Sequence, residues 1–168
     1  TMAALANRLG DPQRRYRSLH IGGTNGKGST AAMAASILRA AGCRVGLYTS
    51  PHLVEFRERI RVDGVMIPEE AVGRVAAAVR EAGDADLQPT FFESTTAMAF
   101  QYFAEERVDV AVLEVGLGGR FDATNIVQPE ACAITTVALD HQEYLGTTLH
   151  AIAFEKGGIV KDKIALVV

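Results

Sequence analysis

The feature that most constrains the fold lies near the N-terminus. There the short apolar run 19–21 enters Gly22-Gly23-Thr24-Asn25-Gly26-Lys27-Gly28-Ser29, and a helical pattern follows at once. A strand, a glycine-rich loop and a helix in that order turn several backbone N–H groups toward one point, beside the positive end of the helix dipole. The strand needs a sheet to carry it, so this unit predicts an α/β fold. The helix is expected over 28–41, with Met33, Ile37 and Ala40 on one face and Gly42 as its stop.

The rest of the chain alternates in the same way. Met2, Leu5 and Leu9 mark a first helix, and residues 44–49 a strand after the glycine loop's helix. Residues 58–67 read as a hairpin around Asp63-Gly64. Pro68 opens a helix whose buried stripe is Val72, Val75, Ala76 and Val79. A loop over 83–89 leads to a helix capped by Ser94 and running to about Arg107. Residues 108–115 form a strand buried on both faces, and 116–125 a glycine-rich loop without helical period. A strand over 131–137, a short helix capped by Thr147 or Thr148 and ending at Gly157-Gly158, and a buried strand over 164–168 complete the chain. This order predicts one domain over 1–168: a mostly parallel, P-loop NTPase-like sheet with helices on both faces. The abrupt apolar end at Val168 fits a terminal core strand, and it also suggests that a larger protein continues beyond it.

Composition narrows the function classes. A net charge of −3 without a dense basic run argues against a nucleic-acid surface. Arg14, Arg15 and Arg17 read as a solvated turn before the first strand. The two cysteines, Cys43 and Cys132, are far apart and fit a reduced, cytoplasmic setting. No apolar stretch has the length of a membrane span.

Polar residues collect where the strands should end, the rim at which open parallel sheets bind ligands. Lys27 supplies a charge for the outer phosphates of a nucleotide, and Ser29 and Thr30 are the nearest hydroxyls. The loop departs from G-x-x-x-x-G-K-[S/T]: Ile21 takes the first glycine's place, and Gly28 delays the hydroxyl by one residue. Glu114 ends an apolar strand and needs a partner, either a Mg²⁺ ion or Arg120. Ser50 and His141 share that rim and are candidate Mg²⁺ ligands, although a lone histidine is as often structural or exposed. Leu149, Ile152, Ala153 and Lys156 place a lysine on an apolar helix face. It is either chemically special or a lysine whose stem lies along the core. The three glycines of 116–119 suggest backbone close to a substrate. Phe91-Phe92-Glu93 offers an aromatic wall for a flat ring or ordinary core packing.

Taken together, Gly-Thr-Asn-Gly-Lys-Gly-Ser at 23–29, Thr-Ser-Pro-His-Leu at 49–53, Glu-Arg-Ile at 58–60 and Phe-Phe-Glu at 91–93 form an ordered set. Glu-Val-Gly-Leu-Gly-Gly-Arg-Phe-Asp-Ala-Thr-Asn at 114–125, Leu-Asp-His at 139–141 and Glu-Lys at 155–156 continue it. The set resembles the folylpolyglutamate synthase/dihydrofolate synthase family of the Mur ligase superfamily, through the first part of its ATP-binding domain. The resemblance implies an ATP-dependent carboxylate–amine ligase that phosphorylates dihydropteroate or a folate and joins the acyl phosphate to L-glutamate. It implies ATP contacts from Thr24, Asn25, Gly26, Lys27, Gly28, Ser29 and Thr30, and Mg²⁺ ligands Ser50, Glu114 and His141. Lys27, His141 and Lys156 would serve catalysis, Lys156 as a lysine carboxylated by CO₂. Thr90, Phe91, Phe92, Glu93, Phe121, Asp122 and Ala123 would contact the pterin substrate. A monovalent cation is compatible with the family, and a monomer is expected. Gly157 and Phe121 depart from the alanine and leucine usual there. The family's C-terminal glutamate domain is not in this sequence, so the fragment alone should be almost inactive. A non-catalytic nucleotide-binding module and a P-loop NTPase or kinase remain the competing readings.

Overall fold

The computed structural model describes residues 1–83 and 86–168. A seven-stranded sheet runs β4-β3-β2-β5-β1-β6-β7. Its strands are β1 Arg17–Gly22, β2 Val45–Tyr48, β3 Ile60–Val62, β4 Val65–Met66, β5 Val110–Glu114, β6 Ala131–Ile134 and β7 Ala165–Val167. Strands β2, β5, β1, β6 and β7 pair in parallel, and β3 and β4 add an antiparallel hairpin. The hairpin turns at Asp63 (φ 52°) and Gly64 (φ 86°), the two positive angles a tight turn of this kind requires. The parallel strands end on one rim, where Ile21 is in register with Glu114 and Gly22 with Ile134.

Helices α1 Met2–Arg8, α3 Glu69–Ala82 and α4 Phe91–Glu105 pack into the larger core, around Tyr48, Phe100, Phe103 and Leu113. Of the expected α3 stripe, Val75 and Val79 are fully inside, while Val72 and Ala76 pack at its margin. A second core joins α2 Lys27–Ala40 to Ile21, Val45, Val110 and Val112. Here the structure differs from the simplest reading of the helix. The face of Met33 and Ile37 is exposed, and Ala31 and Ala35 face the sheet. Small residues bring the helix close to the strands, and both faces satisfy helical spacing. A third cluster, Val115, Cys132, Ile134 and Ile159, lies near α6 Leu149–Gly157.

Four other expectations are corrected. Thr90, not Ser94, caps α4: its hydroxyl accepts the Glu93 N–H while the Glu93 carboxylate accepts the Thr90 N–H. That reciprocal capping box satisfies two otherwise orphaned donors. The 116–125 loop carries a short 3₁₀ turn at Ala123–Ile126. The strand expected to Val137 stops at Ile134, because Thr135 and Thr136 turn to bracket the glycine loop. The last strand is a sheet edge with all three residues exposed, not a buried strand. Thr148 is the cap of α6, and a short α5 Gln142–Leu145 precedes it. The expected loop over 83–89 includes positions 84 and 85, which lie outside the described residues.

Candidate active site

The glycine loop leaves β1 and reaches α2 through Gly26 in the left-handed region at φ 81°. Its outer side is held by the segment after β6. Thr24 N–H donates to the Thr136 carbonyl at 2.8 Å, and Asn25 N–H to Thr136 Oγ1 at 3.0 Å. The Thr24 hydroxyl both accepts from Ala138 N–H and donates to its carbonyl. Thr24 therefore shapes the loop, while Asn25, Gly26 and Ser29 remain exposed at its mouth. Lys27 Nζ folds back to the Thr24 carbonyl at 3.1 Å.

Glu114 ends β5 directly beneath this loop and is 5% exposed. Burial pushes its carboxyl above the usual range, opposed by the Ser50 N–H and by the Lys27 charge. The Ser50 N–H donates to Glu114 Oε2 at 2.9 Å. A side chain at Gly28 would begin 3.7 Å from both Glu114 oxygens. The delayed hydroxyl thus has a physical reading: the position after Lys27 faces the acid, and a glycine there leaves the carboxylate uncovered. Arg120 does not partner Glu114; it approaches Glu155 at 3.8 Å and lies over the Phe154 ring.

The rim carries the other named residues at different depths. His141 sits apart, half-exposed beside Asp140, with φ 46°. Ser50 and Glu114 therefore meet, whereas His141 Nε2 lies 3.5 Å from Asp140 Oδ2. Among the described residues no cluster of three His, Cys, Asp or Glu side chains is placed to hold a metal. Lys156 is 3% exposed, and its Nζ donates to the Gly23 carbonyl at 2.9 Å. Burial and the nearby Lys27 charge lower its pKa, with Asp140 opposing. The glycine run anchors the end of the helix that carries it: Arg120 N–H donates to the Glu155 carbonyl. A side chain at Gly119 would begin 2.7 Å from the Lys156 carbonyl, so this approach requires glycine.

Beside Ser50 opens a cavity of about 1040 Å³, lined in part by Arg59, Thr90, Phe92, Glu93, residues 116–123 and Tyr144. Phe92 stands against Gly116 and Tyr48, whereas Phe91 and Phe121 are exposed. Sequence patterning did not single out Arg59. It is 8% exposed, donates from Nε to His52 Nδ1 at 2.8 Å, and lies 5.6 Å from the Phe91 ring centre. Its place among the Glu-Arg-Ile residues was the sole signal. Asp122, 9% exposed, accepts from the Gly116 and Leu117 N–H groups on one oxygen and from Thr124 on the other.

Residues 21–166 match the Mur ligase middle domain family. The chain belongs to that family. It is 47% identical to the folylpolyglutamate synthase of Lacticaseibacillus casei over 97% of this chain and 40% of that protein. It is 46% identical to the dihydrofolate synthase/folylpolyglutamate synthase of Bacillus subtilis over 99% of this chain and 40% of that protein. Among solved structures it superposes on E. coli FolC in complex with DHPP and ADP at a TM-score of 0.95, with 43% identity, covering 99% of this chain and 40% of that one. An FPGS-AMPPCP-folate complex gives 0.95 at 47% identity, covering 98% and 42%. The Mur ligase sheet expected from sequence is thus the observed one. The chain spans about 40% of the length of these curated relatives. No helix among the described residues is long and apolar enough to cross a membrane.

Proposed function

We propose that this domain is the ATP-binding part of a ligase that joins L-glutamate to dihydropteroate or a folate. The observation that carries the reading is the Ser50–Glu114 pair. Ser50 lines the large cavity, and Glu114 lies under the phosphate loop, so one hydrogen bond joins the two halves of the site. An acid substrate in the cavity would present its carboxylate beside Ser50, within reach of a nucleotide held by Asn25, Gly26, Lys27, Gly28, Ser29 and Thr30 on the loop whose shape Thr24 sets.

The reaction would begin with attack of the substrate carboxylate oxygen on the γ-phosphorus of ATP. The bond to the β–γ bridging oxygen breaks, ADP leaves, and an acyl phosphate forms. The glutamate amine then attacks the acyl carbon, loses a proton, and expels phosphate as the amide forms. Most of this is positioning and charge management. Lys27 swings from its carbonyl partner to the outer phosphates. Phe91, Phe121 and the Phe92 wall offer flat apolar faces to a pterin ring, with Thr90, Glu93, Asp122 and Ala123 around it.

The donor set fits a hard cation: an uncovered buried carboxylate beside a serine and facing a phosphate site. Glu114 and Ser50 would hold Mg²⁺, and His141 would complete the set by movement of its exposed loop. Bound there, Mg²⁺ would neutralise charge between the phosphates and the acid. Lys156 fits carboxylation by CO₂, since that step needs a neutral amine and burial lowers its pKa. A cytoplasmic location and a monomeric state complete the proposal.

The test is phosphate release by a polypeptide of the relatives' full length carrying this domain. Release should depend on both dihydropteroate (or a folate) and glutamate. ATP binding without substrate-stimulated release would make the domain a non-catalytic nucleotide-binding module. The 168-residue chain alone should show almost no ligation.

A further inference from the structure

Behind the cavity wall two buried polar residues that the proposed chemistry does not use, His20 and Thr124, lead in line to Asp122. His20, in the middle of β1, and Thr124, after the glycine run, are both 0% exposed. His20 Nε2 lies 2.8 Å from Thr124 Oγ1. The Thr124 hydroxyl in turn reaches Asp122 Oδ1. Asp122 also receives three backbone N–H groups, from Thr124, Gly116 and Leu117, so its carboxylate is an acceptor. The Thr124 proton must then point at Asp122, and its lone pair at His20. This order fixes the histidine tautomer: Nε2 carries the proton, and Nδ1 is a buried lone pair without a partner.

An apolar side chain on β1 would avoid the cost of that orphaned nitrogen. What the imidazole adds is a donor to the Thr124 oxygen, a second bond that holds the hydroxyl in place facing Asp122. Asp122 gathers the Gly116 and Leu117 amides and so sets the course of the loop that lines the cavity.

We propose that His20 and Thr124 are positioning residues for the pterin substrate: together they hold Asp122, and with it the 116–119 loop, in the shape that admits the ring. This rests on the folate-ligase reading of the cavity. The line reaches the substrate wall and not the phosphate loop's own hydrogen bonds, so its loss should be felt by one substrate and not the other.

The test uses the full-length ligase and four variants. Thr124→Val keeps shape without the hydroxyl, and His20→Leu removes the donor. Thr124→Ser and His20→Gln keep a hydroxyl and an N–H donor. KM for dihydropteroate or folate should rise about tenfold in Thr124→Val and His20→Leu, the scale of one buried hydrogen bond left unmade. KM for ATP should stay within about twofold, and the two conservative variants should restore most of the loss. Equal rises in both KM values, an unchanged pterin KM, or no rescue by the conservative pair would overturn the proposal. Should the apolar variants fail to fold, long-range ¹⁵N–¹H spectra of the unaltered protein test the hydrogen-bond order on which the proposal stands. They should show His20 protonated on Nε2 alone; protonation on Nδ1 contradicts it. If the unaltered enzyme turns over no pterin acid, the folate-ligase reading fails instead, whatever the tautomer.

Discussion

Lys156 Nζ donates to the carbonyl of Gly23 at 2.9 Å, so the buried lysine of α6 and the phosphate loop share one hydrogen bond across 133 residues. The lysine's charged form is disfavoured there by burial and by Lys27. Replacing it with methionine keeps the stem's packing and removes the amine. We expect Lys156→Met in the full-length enzyme to lose at least about a hundredfold in turnover while ATP binding changes little, the pattern for a group that acts at the reacting centre. A short carboxylic acid in the buffer should restore part of that turnover in Lys156→Ala. Normal turnover by Lys156→Met would remove this lysine from the mechanism.

Glu114 makes a separate prediction. Glu114→Gln keeps the shape and the acceptor for Ser50 N–H but removes the charge. The Mg²⁺-dependent part of ATP affinity should fall by about tenfold to a hundredfold, with metal-free binding nearly unchanged. Isothermal titration with and without Mg²⁺ separates the two. Metal dependence that survives the substitution would place the ion elsewhere.

The segment from Ser50 to the 3₁₀ turn Phe56–Arg59 is organised by Glu58, which accepts the N–H groups of Leu53, Val54 and Glu55. Those bonds hold its carboxyl at about 2, below the ordinary 4.5. The unfolded chain therefore binds the proton first as pH falls. The contribution of Glu58 is complete above about 4.5 and is lost as pH falls toward and through about 2. Amide exchange in residues 53–55 should accelerate across that window, and Glu58→Gln should make it fast and pH-independent there after correction for intrinsic rates. Unaltered protection in Glu58→Gln would count against the assignment.

Gly157 lies inside the last turn of α6, and a side chain there would meet open space. Gly157→Ala should therefore stabilise the protein by about 0.5–1 kcal/mol, through helix propensity and a less free unfolded chain. A shift of the urea midpoint to higher concentration checks this. A lower midpoint would show that the helix end needs glycine.

Much of the fold was legible because its signals are local. The strand–loop–helix unit, the Asp63-Gly64 turn and the apolar β5 each carry their pattern within a few residues. Glu114 was legible as an acid at the end of such a strand. The Thr90 cap was equally local, since Thr-x-x-Glu precedes the apolar run, but Ser94 competed for it one turn later. The outward face of α2 could not be read, because alanines and larger apolar residues both recur at helical spacing. His20 and Thr124 lie 104 residues apart and meet only through β1 and the folded 116–125 segment. Nothing local marks a histidine in an apolar strand as the end of a polar line. Arg59 was hidden for the same reason, since its aromatic partner Phe91 comes from another element.

If ATP activates the carboxylate of the acid substrate, an oxygen of that carboxylate must end in the released phosphate. Labelling that carboxylate with ¹⁸O and weighing the phosphate released by the full-length enzyme tests it directly. When the amine attacks the acyl carbon, phosphate leaves with the former carboxylate oxygen that bridged carbon and phosphorus, so one ¹⁸O should appear in phosphate for each amide formed. Unlabelled phosphate beside normal amide formation would contradict it.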